Sequence, residues 1–290
     1  MAAANSQPIF PPIPPPFTMP FFYASLTSFW VFYKVDPVAA APYLEGTGLQ
    51  LAIFGDAALA SLDLQFYTAT YGMQSNFAKP QPIPGMSVTT EIEFNIWAYP
   101  DTHREQYPAG ISVDDFIMGQ DQTKTIGGYR VWVPCDNKYA IKAGKGAFGE
   151  NKFYTLMDFT TPCGNNPDQS TWSYKCYSPK EGEKFIYSME ADVTGTPPMI
   201  ANPSAITLYG DLDGRLVGSH WNLFGQYDTY FLKKAAQKKV VLTYGDGKHK
   251  MRADMEKVIG TAAPYAVQIY QSRDSAAESR GFYANYPSQP

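Results

Sequence analysis

The sequence predicts a mostly β, α+β fold with one strand-rich domain and a few peripheral helices. Tyrosine and phenylalanine are abundant, at 21 and 18 residues, and aromatic side chains favour half-buried strands. Several segments alternate between apolar and polar residues, which is the period of a strand with one buried face. The length of 290 residues and the apolar content of 44% allow one large core, because β-barrels and sandwiches often run to about 200–250 residues as one unit.

The N-terminal stretch predicts an extended arm that leads into the first strand. Residues 1–33 carry no charged side chain, and residues 11–16 are almost entirely proline, which excludes a helix there. A signal peptide or a membrane span does not fit, because a basic n-region is missing and the proline-free apolar piece at 21–33 is too short. We therefore expect a proline-rich arm at 1–20, a single domain at 21–285, and no membrane association.

Caps and alternation predict the elements of the first half. The expected strands are residues 24–33, 49–54, 58–67 and 88–98, with a turn-rich break at 80–84. Asp36 is a good N-cap and Pro37 suits the first position of the helix that follows the first strand. In the strand at 88–98, Glu91, Glu93 and Asn95 share one face.

The second half is predicted in the same way. The expected strands are 129–134, 152–160, 184–194, 205–209, 215–223 and 264–272; the expected helices are 140–147, 227–240 and 250–259; residues 163–177 are expected to form a polar loop or hairpin. Asp213 and Gly214 are a strong hairpin-turn pair. On the strand at 152–160, Lys152 and Tyr154 project to the same side.

Charge, cysteine and motif patterns exclude several classes of function. The net charge is −4, so we expect no nucleic-acid partner. Three cysteines form no CxxC pair, which is typical of a reduced intracellular protein, and we expect a cytoplasmic location. Three widely separated histidines do not favour a zinc site, and no nucleotide-binding fingerprint is present. We therefore expect neither a metal nor a cofactor.

Lys152 is the first candidate for a reactive residue. Phe148, Phe153 and Tyr154 crowd it in the sequence, and burial among aromatic rings disfavours the ammonium form and lowers the lysine pKa. A neutral lysine amine can attack a carbonyl group and form an imine. Phe148 and Tyr154 are the expected substrate contacts. The alternative is a strand-edge lysine whose amine reaches water.

Three carboxylates on predicted strands are the other candidates. Asp63 lies between Leu62 and Leu64, which favours an interior position. Glu91 and Glu93 share one face of their strand. They are equally consistent with an interior pair and with the solvent face of an antiparallel sheet.

The order of these pieces resembles the acetoacetate decarboxylase family. Residues 144–152 (GKGAFGENK) are similar to that family's active-site run, roughly Gly-Arg-Glu-x-aromatic-Gly-x-Pro-Lys-Lys. Residues 32–37 are similar to the end of its first strand. The closing strand from Pro264, with residues 279–282 after it, is similar as well. The resemblance implies a β-barrel or double-sheet core, an oligomer, and Lys152 as the Schiff-base lysine. It also places two acidic residues of the family at Asp63 and Glu91.

The sequence departs from the family pattern at three positions. Phe153 replaces the second lysine of the family's pair, Gly146 replaces its glutamate, and Leu26 replaces the arginine of its first strand. In acetoacetate decarboxylase itself, desolvation or a cationic neighbour activates the reactive lysine. In this sequence only activation by desolvation, among apolar neighbours, is evident.

The sequence thus predicts a lyase that uses a Lys152 Schiff base on an oxo acid or a related carbonyl compound. Decarboxylation is the favoured reaction, with Asp63 or Glu91 moving protons. An aldolase or dehydratase acting through the same imine is the first alternative. A non-catalytic barrel that binds an apolar small molecule is the second. The expected partners are the small-molecule carbonyl substrate and further copies of the same chain.

Overall fold

A computed structural model describes residues 10–70, 88–162, 168–272, 276–278 and 280–284. The predicted break at 80–84 lies outside the described residues, as do parts of the predicted arm and of the predicted loop at 163–177. In the part of the chain that the structure describes, no helix is both long enough and apolar enough to cross a membrane.

Strands dominate the described residues. In chain order they are β1 (Phe21–Val35), β2 (Leu49–Leu51), β3 (Ile53–Phe54), β4 (Ala57–Thr70), β5 (Thr89–Pro100), β6 (Gly127–Cys135), β7 (Lys152–Tyr154), β8 (Met157–Thr160), β9 (Thr171–Tyr177), β10 (Phe185–Asp192), β11 (Met199–Ala201), β12 (Ile206–Leu212), β13 (Arg215–Leu223), β14 (Tyr227–Phe231), β15 (Val240–Tyr244), β16 (Pro264–Ser272), β17 (Ala276–Glu278) and β18 (Phe282–Tyr283). The α-helices are α1 (Pro37–Ala40), α2 (Val113–Ile117), α3 (Lys138–Phe148), α4 (Lys234–Gln237) and α5 (Lys250–Val258). Two short 3-10 helices span Ala41–Leu44 and Asp101–Gln106.

A 14-stranded mixed sheet forms the larger layer. Its main path runs β11–β14–β16–β1–β17–β13–β12–β6–β5–β4–β3, and β1 also pairs with β4. The pairings from β4 through β5, β6, β12, β13, β17 and β1 therefore return to β4, so these strands surround an interior. Most pairs are antiparallel, but β6 runs parallel to both β7 and β12.

A second sheet of four strands, β15–β10–β9–β8, covers the outer face of β1, β4 and β5. Phe29 of β1 stacks on Trp172 of β9, with ring centroids 5.0 Å apart. Successive residues of β1 point to opposite faces of the large sheet. Phe29 packs in the core between the two sheets, whereas Trp30 and Phe32 pack in the interior surrounded by the large sheet. The prediction of a mostly β fold with a double-sheet core and few helices is confirmed.

The end of the first strand has the predicted local structure. Asp36 caps α1, and its Oδ1 accepts a hydrogen bond of 2.8 Å from the backbone N–H of Val38. Pro37 occupies the first helical position. The predicted helix at 250–259 is also present, as α5.

The predicted helix at 227–240 is wrong. Residues Tyr227–Phe231 form β14 in the large sheet and Val240–Tyr244 form β15 in the small sheet, with the single turn of α4 between them. The lysine-rich middle resembles a solvated helix face, but the aromatic and β-branched residues at both ends favour strands. Within the predicted polar loop or hairpin at 163–177, Thr171–Tyr177 form β9, which pairs antiparallel with β8 and whose residues alternate in burial.

The predicted strand at 152–160 is two strands in different sheets. β7 pairs with β6 in the large sheet, whereas β8 pairs with β9 in the small one. Thr155 lies at the crossing, where its N–H donates to Cys135 O and its hydroxyl donates to Tyr177 O. Because the chain changes sheets there, the regular alternation of sides does not continue beyond β7.

Candidate active site

The end of α3 places Lys152 at the start of β7. Gly149 ends the helix in the left-handed conformation, at φ 64°, which glycine adopts without strain. A Cβ at Gly149 would also overlap the carbonyl of Asp211, so this backbone approach requires glycine. The chain then reverses, and Lys152 enters the sheet opposite Val133 of β6.

The Lys152 side chain is only 5% exposed. Its Nζ lies 2.6 Å from Glu150 Oε2 and 2.9 Å from Glu91 Oε2. The alternative of a strand-edge lysine that reaches water is therefore wrong. The structure brings together Lys152 and one of the two predicted acidic residues, Glu91.

Glu150 and Arg130 belong to the same cluster, although neither was predicted. Glu150 Oε1 lies 2.6 Å from an Arg130 Nη, and both side chains are at most 3% exposed. Arg130 Nε also donates to Tyr209 O, at 3.3 Å. The sequence comparison placed the family's glutamate at Gly146, but in the fold Glu150 occupies the position beside the lysine. A glutamate two residues before Lys152, in the segment between α3 and β7, was the available signal.

The charges around Lys152 decide its resting state. Burial lowers the lysine pKa, but the carboxylates of Glu150 and Glu91 outweigh that effect and raise the pKa of Lys152 well above its ordinary value. The prediction of a pKa lowered by aromatic burial is therefore wrong for this state. The amine must transfer a proton to a neighbour before it can act as a nucleophile.

The two carboxylates beside Lys152 differ in their proton affinity. Burial raises the pKa of Glu91, although Lys152 opposes that rise, and the Tyr67 hydroxyl donates to Glu91 Oε2 at 2.9 Å. Burial also acts to raise the pKa of Glu150, but Lys152 and Arg130 together lower it. Neighbouring acids with separated pKa values take different roles. Glu91 is suited to exchange protons, and Glu150 to remain an anion.

Asp63 lies in the interior but forms a separate pair with Glu93. The two residues are directly opposite in the register of β4 and β5, and Asp63 is fully buried. Asp63 Oδ2 accepts from Asn95 Nδ2 at 2.6 Å and from the Ser61 hydroxyl at 3.3 Å. Burial is the main cause that raises the pKa of both acids, that of Glu93 to about 7. The solvent-face alternative is thus wrong for this strand face.

We expect Glu93→Gln to change how stability depends on pH. The folded-state pKa of Glu93 is about 7, above the ordinary 4.5, so stability contributed by the protonated form is lost as pH rises between these values. The rise corresponds to about 3 kcal/mol. Urea denaturation gives the free energy of unfolding of the variant and of the natural protein at pH 4.5 and pH 7.5. From the lower to the higher pH, the difference between them should move by about 3 kcal/mol in favour of the variant. Glu190→Gln, at an exposed position, is the control; a Glu93→Gln curve parallel to it would contradict the expectation.

The two predicted substrate contacts have different surroundings. Phe148 is 1% exposed and packs in the interior cluster, 6.0 Å from the Phe21 ring and 5.9 Å from the Arg130 guanidinium. Tyr154 is 46% exposed, and its ring faces Lys138. Because Tyr154 leads out of β7 toward the small sheet, the structure does not bring it to the lysine cluster.

Gly144 of α3 leaves the space that Lys152 and Glu150 occupy. A Cβ there would overlap Glu150 Oε2 and lie 2.7 Å from Lys152 Cδ. We expect Gly144→Ala to displace both side chains and to lower carbonyl labelling of Lys152 about a hundredfold, since small misplacements of reacting groups have such effects. Gly146→Ala on the same helix is the matched control, because the three atoms nearest its Cβ belong to the Pro14 side chain, at 2.6 Å and beyond, and not to Lys152 or Glu150. Equal labelling of the two variants would contradict this expectation.

A groove of about 570 Å³ lies beside the cluster and is lined by Arg130, Glu150 and the aromatic side chains of Tyr43, Tyr129 and Trp132. Glu150 lines this groove and also contacts Lys152, so its side chain lies between the groove and the lysine amine. Among the described residues, no group of three or more His, Cys, Asp or Glu side chains is arranged to hold a metal ion. The chemistry that this arrangement supports is proton transfer and amine attack.

Comparison with solved structures finds similar folds at low sequence identity. The enduracididine biosynthesis enzyme MppR complexed with pyruvate is 15% identical, with a TM-score of 0.62, covering 97% of this chain and 93% of that one. An acetoacetate decarboxylase-like enzyme from Sphingomonas wittichii is 12% identical, with a TM-score of 0.58 and coverage of 91% and 92%. Acetoacetate decarboxylase from Legionella pneumophila is 11% identical, with a TM-score of 0.57 and coverage of 98% and 92%. No protein-family model and no curated protein sequence matches the chain.

Proposed function

We propose that this chain, which has the fold of acetoacetate decarboxylase-like enzymes, is a lyase in which Lys152 forms a Schiff base with an oxo acid. The observation that carries the proposal is the buried Lys152 amine, held 2.9 Å from Glu91 and 2.6 Å from Glu150. A cytoplasmic location and a homo-oligomeric assembly are part of the proposal. The groove lined by Arg130 and Glu150 is the proposed route to the lysine.

The first step is proton transfer from Lys152 Nζ to Glu91. Burial raises the proton affinity of Glu91, which makes it the better acceptor of the two carboxylates. The neutral amine then attacks the carbonyl carbon of the substrate and forms a carbinolamine. Glu91 returns the proton to the carbinolamine hydroxyl, which leaves as water, and a protonated imine remains. Glu150 stays ionised beside Arg130 and stabilises the positive charge of the imine.

Decarboxylation follows from the electron demand of the protonated imine. In a 3-oxo acid, the bond between the carboxylate carbon and its neighbour breaks, and its electron pair moves to the imine nitrogen. Carbon dioxide leaves, and an enamine remains on Lys152. Protonation of the enamine carbon and hydrolysis of the imine release a ketone and restore the free amine.

An aldolase or dehydratase acting through the same imine is the second candidate. Leu26, at the position where the family pattern has an arginine, is buried and apolar. Phe153, in place of the second family lysine, stacks on His249 with ring centroids 4.1 Å apart. A solved relative, 15% identical, is described as complexed with the condensation product of pyruvate and imidazole 4-carboxaldehyde. A condensation through an enamine on Lys152 uses the same residues without release of carbon dioxide.

Borohydride trapping tests the imine, and product analysis separates the reactions. We expect acetoacetate or pyruvate, followed by borohydride, to add the mass of one reduced adduct per chain. Release of carbon dioxide from acetoacetate would support decarboxylation, whereas condensation of pyruvate with an added aldehyde would support the aldolase alternative. A protein that takes up no oxo acid or aldehyde under these conditions would favour the non-catalytic barrel instead.

A further inference from the structure

The interior wall formed by β4 and β5 carries polar side chains that the described residues leave partly unsatisfied. Asp63, Gln65 and Asn95 are at most 3% exposed. Asp63 Oδ1, Asn95 Oδ1 and Gln65 Nε2 have no hydrogen-bond partner among the described residues. Buried polar atoms are nearly always paired in folded proteins. Two acceptors and one donor on one wall therefore indicate a ligand with complementary groups.

The strand register places these atoms beside the reactive lysine. Gln65 lies directly opposite Glu91, which contacts Lys152 Nζ, and Asp63 lies opposite Glu93. Residues two apart on one strand face are separated by about 7 Å. A substrate joined to Lys152 is thus next to Gln65, and a short tail extending along the strands reaches the carboxylates of Asp63 and Glu93.

The charges of this interior favour a cationic tail. Four acidic side chains, those of Asp63, Glu91, Glu93 and Glu150, share the buried interior with two basic ones, Lys152 and Arg130. The hydrogen bonds that Asp63 accepts come from the neutral side chains of Asn95 and Ser61. Burial raises the pKa of both acids and so favours their neutral forms. A positive hydrogen-bond donor placed between Asp63 and Glu93 would stabilise their ionised forms, since a buried ion requires a partner.

We propose that Asp63 and Glu93 bind a positively charged hydrogen-bond donor on the tail of an oxo acid held by Lys152. Gln65 Nε2 donates to an oxygen of the same substrate near the imine. The positively charged donor lies about three to five bonds from the reacting carbon. That length matches the separation of about 7 Å between residues two apart on one strand face. This inference rests on the proposed function and adds the class of substrate that the site prefers.

Two ring-bearing oxo acids of similar size test this preference. The probes are 3-(imidazol-4-yl)-2-oxopropanoate, whose ring has N–H donors and accepts a proton, and 3-phenyl-2-oxopropanoate, whose ring does neither. With borohydride present, we expect the imidazolyl compound to reach half-maximal labelling at about a tenfold lower concentration, as a charged hydrogen bond provides. Equal labelling by the two compounds would overturn the inference, since it would mean that water alone satisfies these polar atoms.

Substitutions at Asp63 and Glu93 test whether these two residues cause the preference for the imidazolyl compound. Asp63→Asn and Glu93→Gln are expected to bring the ratio of the two half-maximal concentrations close to one, and the second variant covers a failure of the first to fold. Asp158→Asn, at an exposed position, is expected to keep the natural ratio. An unchanged ratio in both interior variants would contradict the assignment. If pyruvate labels the protein but the two ring compounds label equally, only this inference fails; if none of the three labels it, the proposed function fails as well.

Discussion

Lys152→Ala is expected to abolish borohydride-dependent incorporation of every oxo acid that labels the natural protein. The imine nitrogen is the lysine amine itself, and no other group can replace it. Lys152→Arg keeps the positive charge between Glu91 and Glu150 but lacks a nucleophilic amine, so it should also take up no adduct. Intact-protein mass spectrometry after reduction measures both variants.

Lys142→Ala is the matched control for these variants. Lys142 lies on the same helix, α3, and its side chain is exposed. We expect this variant to be labelled as the natural protein is. Retention of one adduct in Lys152→Ala, with circular dichroism showing an unchanged fold, would exclude Lys152 as the reacting group.

Arg130→Met is expected to destabilise the fold by about 3–5 kcal/mol, the cost of removing one partner from a buried ion-pair cluster. Glu150 would then share Lys152 with Glu91 and would lose its contact with Arg130. Arg130 and Glu150 are 1% and 3% exposed, and methionine preserves much of the apolar stem. Glu93 also loses a favourable charge, because Arg130 acts to lower its pKa. Urea denaturation at neutral pH measures the loss.

Lys239→Met provides the contrasting control on the surface. Lys239 forms an ion pair of 3.3 Å with Asp192, and the two side chains are 46% and 28% exposed. Exposed pairs contribute about 0–1 kcal/mol, so this variant should lose little stability. A similar loss in both variants would contradict the account of a buried, charge-compensated cluster.

Local patterns in the sequence were sufficient for much of the fold. Asp36 and Pro37 specify the helix start through short-range hydrogen bonding and a fixed backbone angle, and both act without tertiary partners. The alternating face of β5 was recognised for the same reason. The helix predicted at 227–240 failed because two short strands there belong to different sheets, and pairing with distant strands determines their structure.

The candidate site was predictable only in part. The spacing of Phe148, Gly149 and Lys152 identified the lysine, because these residues are close in sequence. Arg130 could not be assigned to the site, since it lies on β6 and comes close to Glu150 through the parallel pairing of β6 with β7. That pairing joins segments distant in the sequence and leaves no local pattern.

The direction of the Lys152 pKa shift also depends on contacts that the local sequence does not reveal. Aromatic neighbours in the sequence predicted a lowered pKa, but the two carboxylates that contact the amine reverse the direction. Glu91 lies on another strand, so its contact with Lys152 depends on the fold. The proton that Lys152 must lose therefore defines a role for Glu91 that could not be assigned from the lysine motif alone.

A crystal structure of the protein reduced with borohydride in the presence of pyruvate would show whether Lys152 forms the imine. We expect continuous electron density from Lys152 Nζ to the substrate carbon, with Glu91 and Glu150 on either side of the new bond. An unmodified Lys152 that keeps both ion pairs, with the adduct on another lysine or on none, would contradict this expectation.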